Sequence, residues 1–570
     1  MKRHTRPAAG ALLSVIAVIA LAACGSSSSN SSSATSSAAA SGSGTTSAPA
    51  KTGGTITLLM GGAPQSLDPG MDYTTQGAEA LWITYTGLTT YAHAQGVPGS
   101  KLIPGLATAL PTITNGGKTY TATLRKGLVF SNGKPVKASD FAWTVERAIK
   151  IPWGGSGAFL TSQIKGAQAF STGKAKTISG ITTNNATGKI TVNLNQPYGP
   201  FDNVLAFPSM GLVPSGTPMK NEPTSPPPGV GPYKTTNIVP NQGWESVVNP
   251  EYAKEQIPGI PEGHVNVQVK LSTNVPSNAL SVLNNTADIF DWADTIPGSL
   301  LPQIKAKAAD RFQQVNLGGS TYYIFMDQTQ KPFSSQLARE AVVTGLNQDA
   351  MNRLGSGTLL PTCWFLPADV PGHISTNSEC PYGQPGTGNL AKAKQLVKQS
   401  GMAGTPVTVW SQGRPPREQW MTYYTQFLNQ IGFKATQKVI ADATYFTTIG
   451  NTKLKPQTGF TDWNQDFPNP VDFYLLVDGK TILPTNNENQ GMINDPYINS
   501  QVSKLATTPT TQLDTVASKW QALEKFLAKK AYVAPFGYQT FPKFASDRIN
   551  YSAALMNPIY GWDWTSLQLK

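Results

Sequence analysis

The chain has 570 residues, 39% of them apolar and only 13% charged, with a net charge of +12 at neutral pH. That length exceeds what one hydrophobic core serves and implies roughly two to four domains, while the ordinary apolar content places the body among globular proteins. The cationic excess is spread thinly and forms no Lys/Arg patch interleaved with aromatics, which excludes a nucleic-acid-binding protein.

Lys2, Arg3 and Arg6 open the chain, and the apolar run ALLSVIAVIALAA follows at 11–23. This run falls short of the about 20 residues that span a bilayer comfortably. It reads as the core of a signal peptide over 1–23, to be set aside from the fold. Leu21-Ala22-Ala23-Cys24 resembles a bacterial lipobox, which implies lipidation of Cys24. Residues 25–52 are almost all Ser, Ala, Gly and Thr and cannot bury a core. With Cys24 they make a disordered tether over 24–52, with a reach on the order of 30 Å. The expectation is a soluble body secreted and lipid-anchored to the outer face of the cell membrane.

The body opens with GGTITLLMGG, where Ile56, Leu58 and Met60 alternate as in a strand. GKTYTATLRKGLVFSNGKPV reads as a strand pair with Tyr120, Ala122 and Leu124 on one face and Asn132-Gly133 as the turn. ASDFAWTVERAIK changes to helical spacing, with Phe141, Val145 and Ile149 four apart and Asp140 in the first turn. KITVNLNQPYGPF is a strand stopped by proline, and SPPPGVGPYK is a stiff connector into another strand. QLAREAVVTGLNQDAMNRL and NLAKAKQLVKQSG read as helices, the second with Asn389 as N-cap and Gly401 just past its end. A last helix, QLDTVASKWQALEKFLAKKA, places Leu513, Val516, Trp520, Leu523 and Leu527 on one stripe. Strands and helices mixed without a regular cycle predict an α/β class with mixed sheets.

The segment DWNQDFPNP sets Asp462 and Asp466 among Trp463 and Phe467 with no cation beside them in sequence. A surface loop explains the acids and not the rings; a core strand explains the rings and not the acids. Taken alone, an Asp before a proline turn is most often a turn or capping residue. Cys363 and Cys380 form an isolated pair that an oxidising compartment oxidises. The bridge closes a loop of about 17 residues, worth roughly 3 kcal/mol by loop entropy. His373 alone lies near them, too few ligands for zinc, so neither metal nor cofactor is expected. The histidines are His4, His93, His264 and His373, and H-E-x-x-H and G-x-S-x-G are both absent. NGGKT near Lys118 lacks the first glycine of a P-loop, and no carboxylate pair has a setting for acid/base work. A non-enzyme is expected.

LIPGLATALPTITNGGKTYTATLRKGLVFSNGKPVKASDFAWTVERAI at 102–149 closely resembles the signature region of family 5 solute-binding proteins, the dipeptide and oligopeptide receptors of ABC importers. GGTITLLMGGAPQSLDPG, PPPGVGPYKTTN, YYIFMDQTQKPFSSQLAREAVVTGLNQDAM, NLAKAKQLVKQSG, FLNQIGFKATQKV and DWNQDFPNP resemble further family segments in the family's order. The resemblance implies a two-lobed periplasmic-binding-protein-like fold of type II, the large class with an extra domain, its lobes closing by a hinge. Lobe I would be 53–86, 215–326 and 536–570; the extra domain II, 87–214; lobe III, 327–535.

Matching W-x-x-D residue by residue implies that Asp466 holds a peptide's α-ammonium, with Asp462, Trp463 and Asn464 as the strand beside the ligand. A carboxylate in a dry cleft is costly unless a cation meets it, and the ligand supplies one. Trp463 and Phe467 would form rigid apolar walls. An opposing strand is expected at Ala63, Pro64 and Gln65, although Pro64 lacks an N–H and the oligopeptide receptors often have an acid where this chain has Ala63. Arg414 or Arg417 could meet the ligand's carboxylate, against a simpler reading as solvated surface arginines. The resemblance thus implies a monomeric receptor for short peptides that delivers them to ABC permease subunits. The alternatives are an oligosaccharide or other solute, stacked on Trp410, Trp463 or Trp562, and a surface sensor outside transport.

Overall fold

The computed structural model describes residues 53–151, 156–252 and 257–570. The signal peptide, Cys24 and the tether lie outside them.

Alternating Ile56, Leu58 and Met60 are fully buried in the strand Thr55–Met60. This strand lies between Ile289–Phe290 and Asn266–Leu271, parallel to both, and Gly243–Val248 and Tyr233–Val239 complete a five-stranded sheet by antiparallel pairing. A second sheet of six strands runs Leu359–Leu360, Val533–Gln539, Ser320–Met326, Thr458–Asn464, Pro406–Gly413, Lys434–Ala441. Its centre is the unbroken run STYYIFM, buried at every position, as expected of a strand covered on both faces. The neighbouring VAPFGYQ carries Pro535 at the point where the register with Tyr322 and Tyr323 shifts, so the missing proline N–H falls at a bulge.

A third, antiparallel sheet joins Thr112–Thr114, Thr119–Thr123, Lys189–Asn193 and Ile181–Asn184. The helix Ala138–Lys150 buries Phe141 and Val145 in the same core as Tyr120, Ala122, Ile190 and Val192. Here the expected strand pair differs. TYTAT pairs with KITVN, and Asn132-Gly133 closes only a single bridge between Val129 and Pro135. The turn chemistry is right, but the flanking residues have no second sheet partner.

Arg147 reaches from this helix to Asp68, with both side chains buried, and also donates to the carbonyls of Pro218 and Lys220. Asp68 further accepts from the N–H groups of Gly70 and Glu222, so the pair is fully hydrogen-bonded, which such burial requires.

Sheet membership corrects two expected boundaries. Ser320–Met326, assigned above to lobe I, belongs wholly to the six-stranded sheet, and Val533–Gln539 straddles the expected limit at 535/536. On the other side Phe312–Val315 pairs with Phe541–Phe544. The chain therefore crosses between the bodies at 316–319 and again at 540, two short stretches side by side. Gly318, with φ at +79°, adopts the left-handed conformation this passage needs.

The expected helix over QLAREAVVTGLNQDAMNRL is two, Gln336–Gly345 and Gln348–Leu354, the second capped by Asn347. Asn389 caps Leu390–Gln399 as expected, accepting from Lys392 N–H at 2.9 Å. Cys363 and Cys380 are disulfide-bonded. In the last helix, Ala517–Lys529, Trp520, Leu523 and Leu527 face the core, while Leu513 and Val516 precede it in a 3-10 turn.

Glu524 lies on that buried face, where its carboxylate accepts from Phe365 N–H, from Leu366 N–H at 3.4 Å and from Tyr474 hydroxyl at 3.1 Å. Burial pushes its pKa up to about 7. The folded state thus retains a proton that the unfolded chain releases near pH 4–5, so this contribution to stability falls as pH rises toward 7. Relative to Glu524→Gln, the wild type should lose roughly 2–3 kcal/mol between pH 5 and pH 8. Paired urea titrations at the two pH values measure it; an unchanged difference would contradict it.

Candidate functional site

The strand Thr458–Asn464 pairs along its length with Ser320–Met326, placing Asp462 opposite Tyr322 and Asn464 opposite Ser320. Phe460 is buried in the six-stranded body, and beyond it the strand runs out into a cavity of about 350 Å³. Asp462, Trp463, Asn464, Gln465 and Asp466 line one wall with Phe446 and Glu488. Asp72, Tyr73, Thr74 and Thr75 line the facing wall with Ile559 and Tyr560, and Phe207, Pro208 and Ser209 close the end. Tyr560 is held by stacking on Trp82 at 5.0 Å.

Asp466 stands at the end of this strand because of Asp472. Asn469 caps the short helix Pro470–Tyr474, and Asp472 in its first turn is fully buried. One Asp472 oxygen accepts from Asp466 N–H at 2.9 Å and from the Trp463 indole N–H at 3.1 Å, pinning both residues at the cavity wall. The Asp466 carboxylate receives the Tyr73 hydroxyl from the facing wall. Although it meets the cavity, protein on both sides strips away most of its bulk water. That desolvation raises its pKa to about 6, partly offset by the Tyr73 bond. Glu488 is held by the Gln490 amide at 3.2 Å, and burial together with the Asp466 and Asp462 charges raises it to about 7. None of the residues lining the cavity is Lys, Arg or His. Tyr73, Asp472 and Glu488 were not among the sequence candidates. Only Asp472, six residues past Asp466 and two past Pro470, carried a local signal.

The other expected site residues are distributed differently. Asp462 has no cation beside it in sequence, yet Arg417 donates to it at 2.7 Å. Arg417 begins the helix Arg417–Ile431, also donates to Gln412 at 2.6 Å and stacks its guanidinium over Phe460 at 4.7 Å. It is not a solvated surface arginine, because the Asp462 charge holds it inside, and it does not line the cavity. Arg414 instead reaches across to Asp294 at 3.5 Å, whose other oxygen accepts from Gly61 N–H.

Phe467 does not wall the cavity. It is buried in the core on the other side, 5.9 Å from Phe207, where its ring gains more apolar contact. The expected opposing strand at Ala63–Gln65 is absent: the strand ends at Met60, and Ala63 and Gln65 are exposed outside the cavity. Their segment is folded instead around Asp72, which accepts from Ser66 N–H, Thr74 N–H and the Thr74 hydroxyl. Trp410 and Trp562 are buried away from the cavity, leaving Trp463 as the one of the three candidate sugar platforms that lines it. Among the described residues no group of three or more His, Cys, Asp or Glu side chains is placed to hold a metal ion.

Chemically the cavity offers hydrogen-bond acceptors and negative charge against aromatic walls. It suits a cationic, partly apolar guest.

The family described as bacterial extracellular solute-binding proteins, family 5 middle, matches residues 101–483. The chain is 25% identical over 334 residues to the glutathione-binding protein GsiB of Escherichia coli strain K12, covering 57% of this chain and 58% of that protein. It is likewise 25% identical over 334 residues to the oligopeptide-binding protein OppA of Bacillus subtilis strain 168, covering 56% and 57%. The matched stretch thus spans a little over half the length of these relatives. Among solved structures, the clavulanic acid biosynthesis oligopeptide binding protein 2 superposes with a TM-score of 0.82 at 21% identity, covering 91% of this chain and 96% of that one. Helicobacter pylori DppA in complex with the peptide STSA superposes with a TM-score of 0.71 at 18% identity, covering 91% and 98%. The fold is the α/β, two-lobed periplasmic-binding-protein type, with mixed sheets.

Proposed function

Since this chain belongs to the bacterial extracellular solute-binding proteins of family 5, we propose that it captures short peptides in the cavity between its two large sheets and delivers them to the permease of an ABC importer. The single observation that carries this reading is Asp466: a carboxylate on the cavity wall, met by one hydroxyl and no cation. A peptide's free α-ammonium completes it, through a charge-assisted hydrogen bond worth about 1.5–3 kcal/mol net. Trp463 and Tyr560 on opposite walls contribute apolar area with little rotamer freedom to lose. Micromolar capture needs about −8 kcal/mol, within reach of these terms together.

In this reading the lobes move about the paired crossings at 316–319 and 540, and the Tyr73–Asp466 and Arg414–Asp294 contacts form as they close. Cys24 carries the lipid, the tether sets the body off the membrane, and the receptor works as a monomer without catalysis or cofactor.

Calorimetry with matched tripeptides tests the reading. A free-amine tripeptide should bind at least about tenfold more tightly than its N-acetylated form, the lower end of a charge-assisted bond. Equal affinities, or heat released only with oligosaccharides, would overturn it.

A further inference from the structure

Four carboxylates line the cavity, and two of them are already satisfied by the protein. Asp72 takes three hydrogen bonds from its own loop, and Asp462 is paired with Arg417. Asp466 is met only by the Tyr73 hydroxyl and Glu488 only by the Gln490 amide, which bonds Oε2 and leaves Oε1 without a partner among the described residues. A chain of net charge +12 has thus built a cavity lined by two uncompensated carboxylates and no Lys, Arg or His.

A peptide ammonium answers Asp466 and leaves Glu488 unanswered. Resting on the peptide reading above, we propose that Glu488 receives the side-chain cation of the bound peptide, so that the site selects peptides carrying a guanidinium or ammonium side chain. A neutral peptide would shut Glu488 into the closed cavity uncompensated, and a charge in that position is costly. A guanidinium fits best, because its fixed fork of N–H donors matches a carboxylate bidentately. Burial and the Asp466 charge push Glu488 up to about 7, so the empty cavity tolerates both negative charges poorly. No cavity-lining cation meets the peptide's carboxylate, so C-terminal amidation or extension should be tolerated.

The test is calorimetry of the purified protein and its Glu488→Gln variant with Gly-Arg-Gly and Gly-citrulline-Gly, each free and N-acetylated. Citrulline keeps the shape of arginine and loses its charge. The wild type should bind the arginine peptide at least about tenfold more tightly than the citrulline peptide, as one charge-assisted bond implies. Glu488→Gln should bring that ratio close to one, by weakening the arginine peptide and, with the uncompensated charge gone, binding the citrulline peptide at least as tightly as the wild type does, which also reports that the variant is folded. A ratio near one in the wild type, or an unchanged ratio in the variant, overturns the proposal. If both peptides bind equally and both are lost on acetylation, the peptide reading survives and the Glu488 assignment fails. If neither peptide binds, both fail.

Discussion

Asp466→Asn should weaken binding of a free-amine tripeptide by about 10- to 150-fold, the equivalent of roughly 1.5–3 kcal/mol. Asparagine preserves the shape of the side chain and its acceptor for the Tyr73 hydroxyl, and the hold of Asp472 on the backbone N–H does not depend on the substituted group. The loss then reports charge and not a displaced loop. Acidity supplies a second readout. With Asp466 ionising at about 6 and a peptide ammonium near 8, wild-type affinity should rise between pH 5 and pH 7. In the variant the rise should shrink. Calorimetry at the two pH values measures both; an unaltered affinity in the variant would remove Asp466 from the binding account.

Arg417→Leu should be the most destabilising change near the site. Asp462 would be left enclosed without its cation, and breaking such a pair costs about 3–5 kcal/mol. The six-stranded body should then melt on the order of 10 °C lower. Replacing both partners, Arg417→Leu with Asp462→Leu, removes the isolated charge and sets the leucines against Phe460 and Tyr322, so most of the stability should return. Peptide affinity separates this structural role from direct binding. A stable double variant with affinity within about threefold of wild type fits an internal pair, a difference below 1 kcal/mol. A loss confined to peptides with a free carboxylate would restore Arg417 as a ligand contact. Thermal unfolding and titration on the same preparations decide between them.

Much of the architecture lay in local pattern. Alternation at Ile56, Leu58 and Met60 marked a strand, four-residue spacing at Phe141 and Val145 marked a helix face, and Asn389 marked a helix start. Each depends on residues within a few positions, where backbone geometry dictates which side chains share a face. The long helix read over 336–354 failed at Leu346-Asn347 because Asn347 caps a new helix more strongly than it continues the old one. Ala63 and Gln65 were misplaced because the neighbouring chain folds around Asp72, and nothing in the alternation of GGTITLLMGG foretells that turn.

The amino-acid sequence by itself determined that acids and aromatics sit together at 462–467, that a strand leads into them, and that two cysteines could bond. Only the tertiary structure decided which acid is free. Arg417, 45 residues from Asp462, neutralises that side chain, while Tyr73, 393 residues from Asp466, brings a hydroxyl and no charge. Phe467 went into the core and Glu488 came to the cavity by the same logic. The cost of a buried charge depends on what surrounds it in space, and in this chain the surroundings come from distant segments.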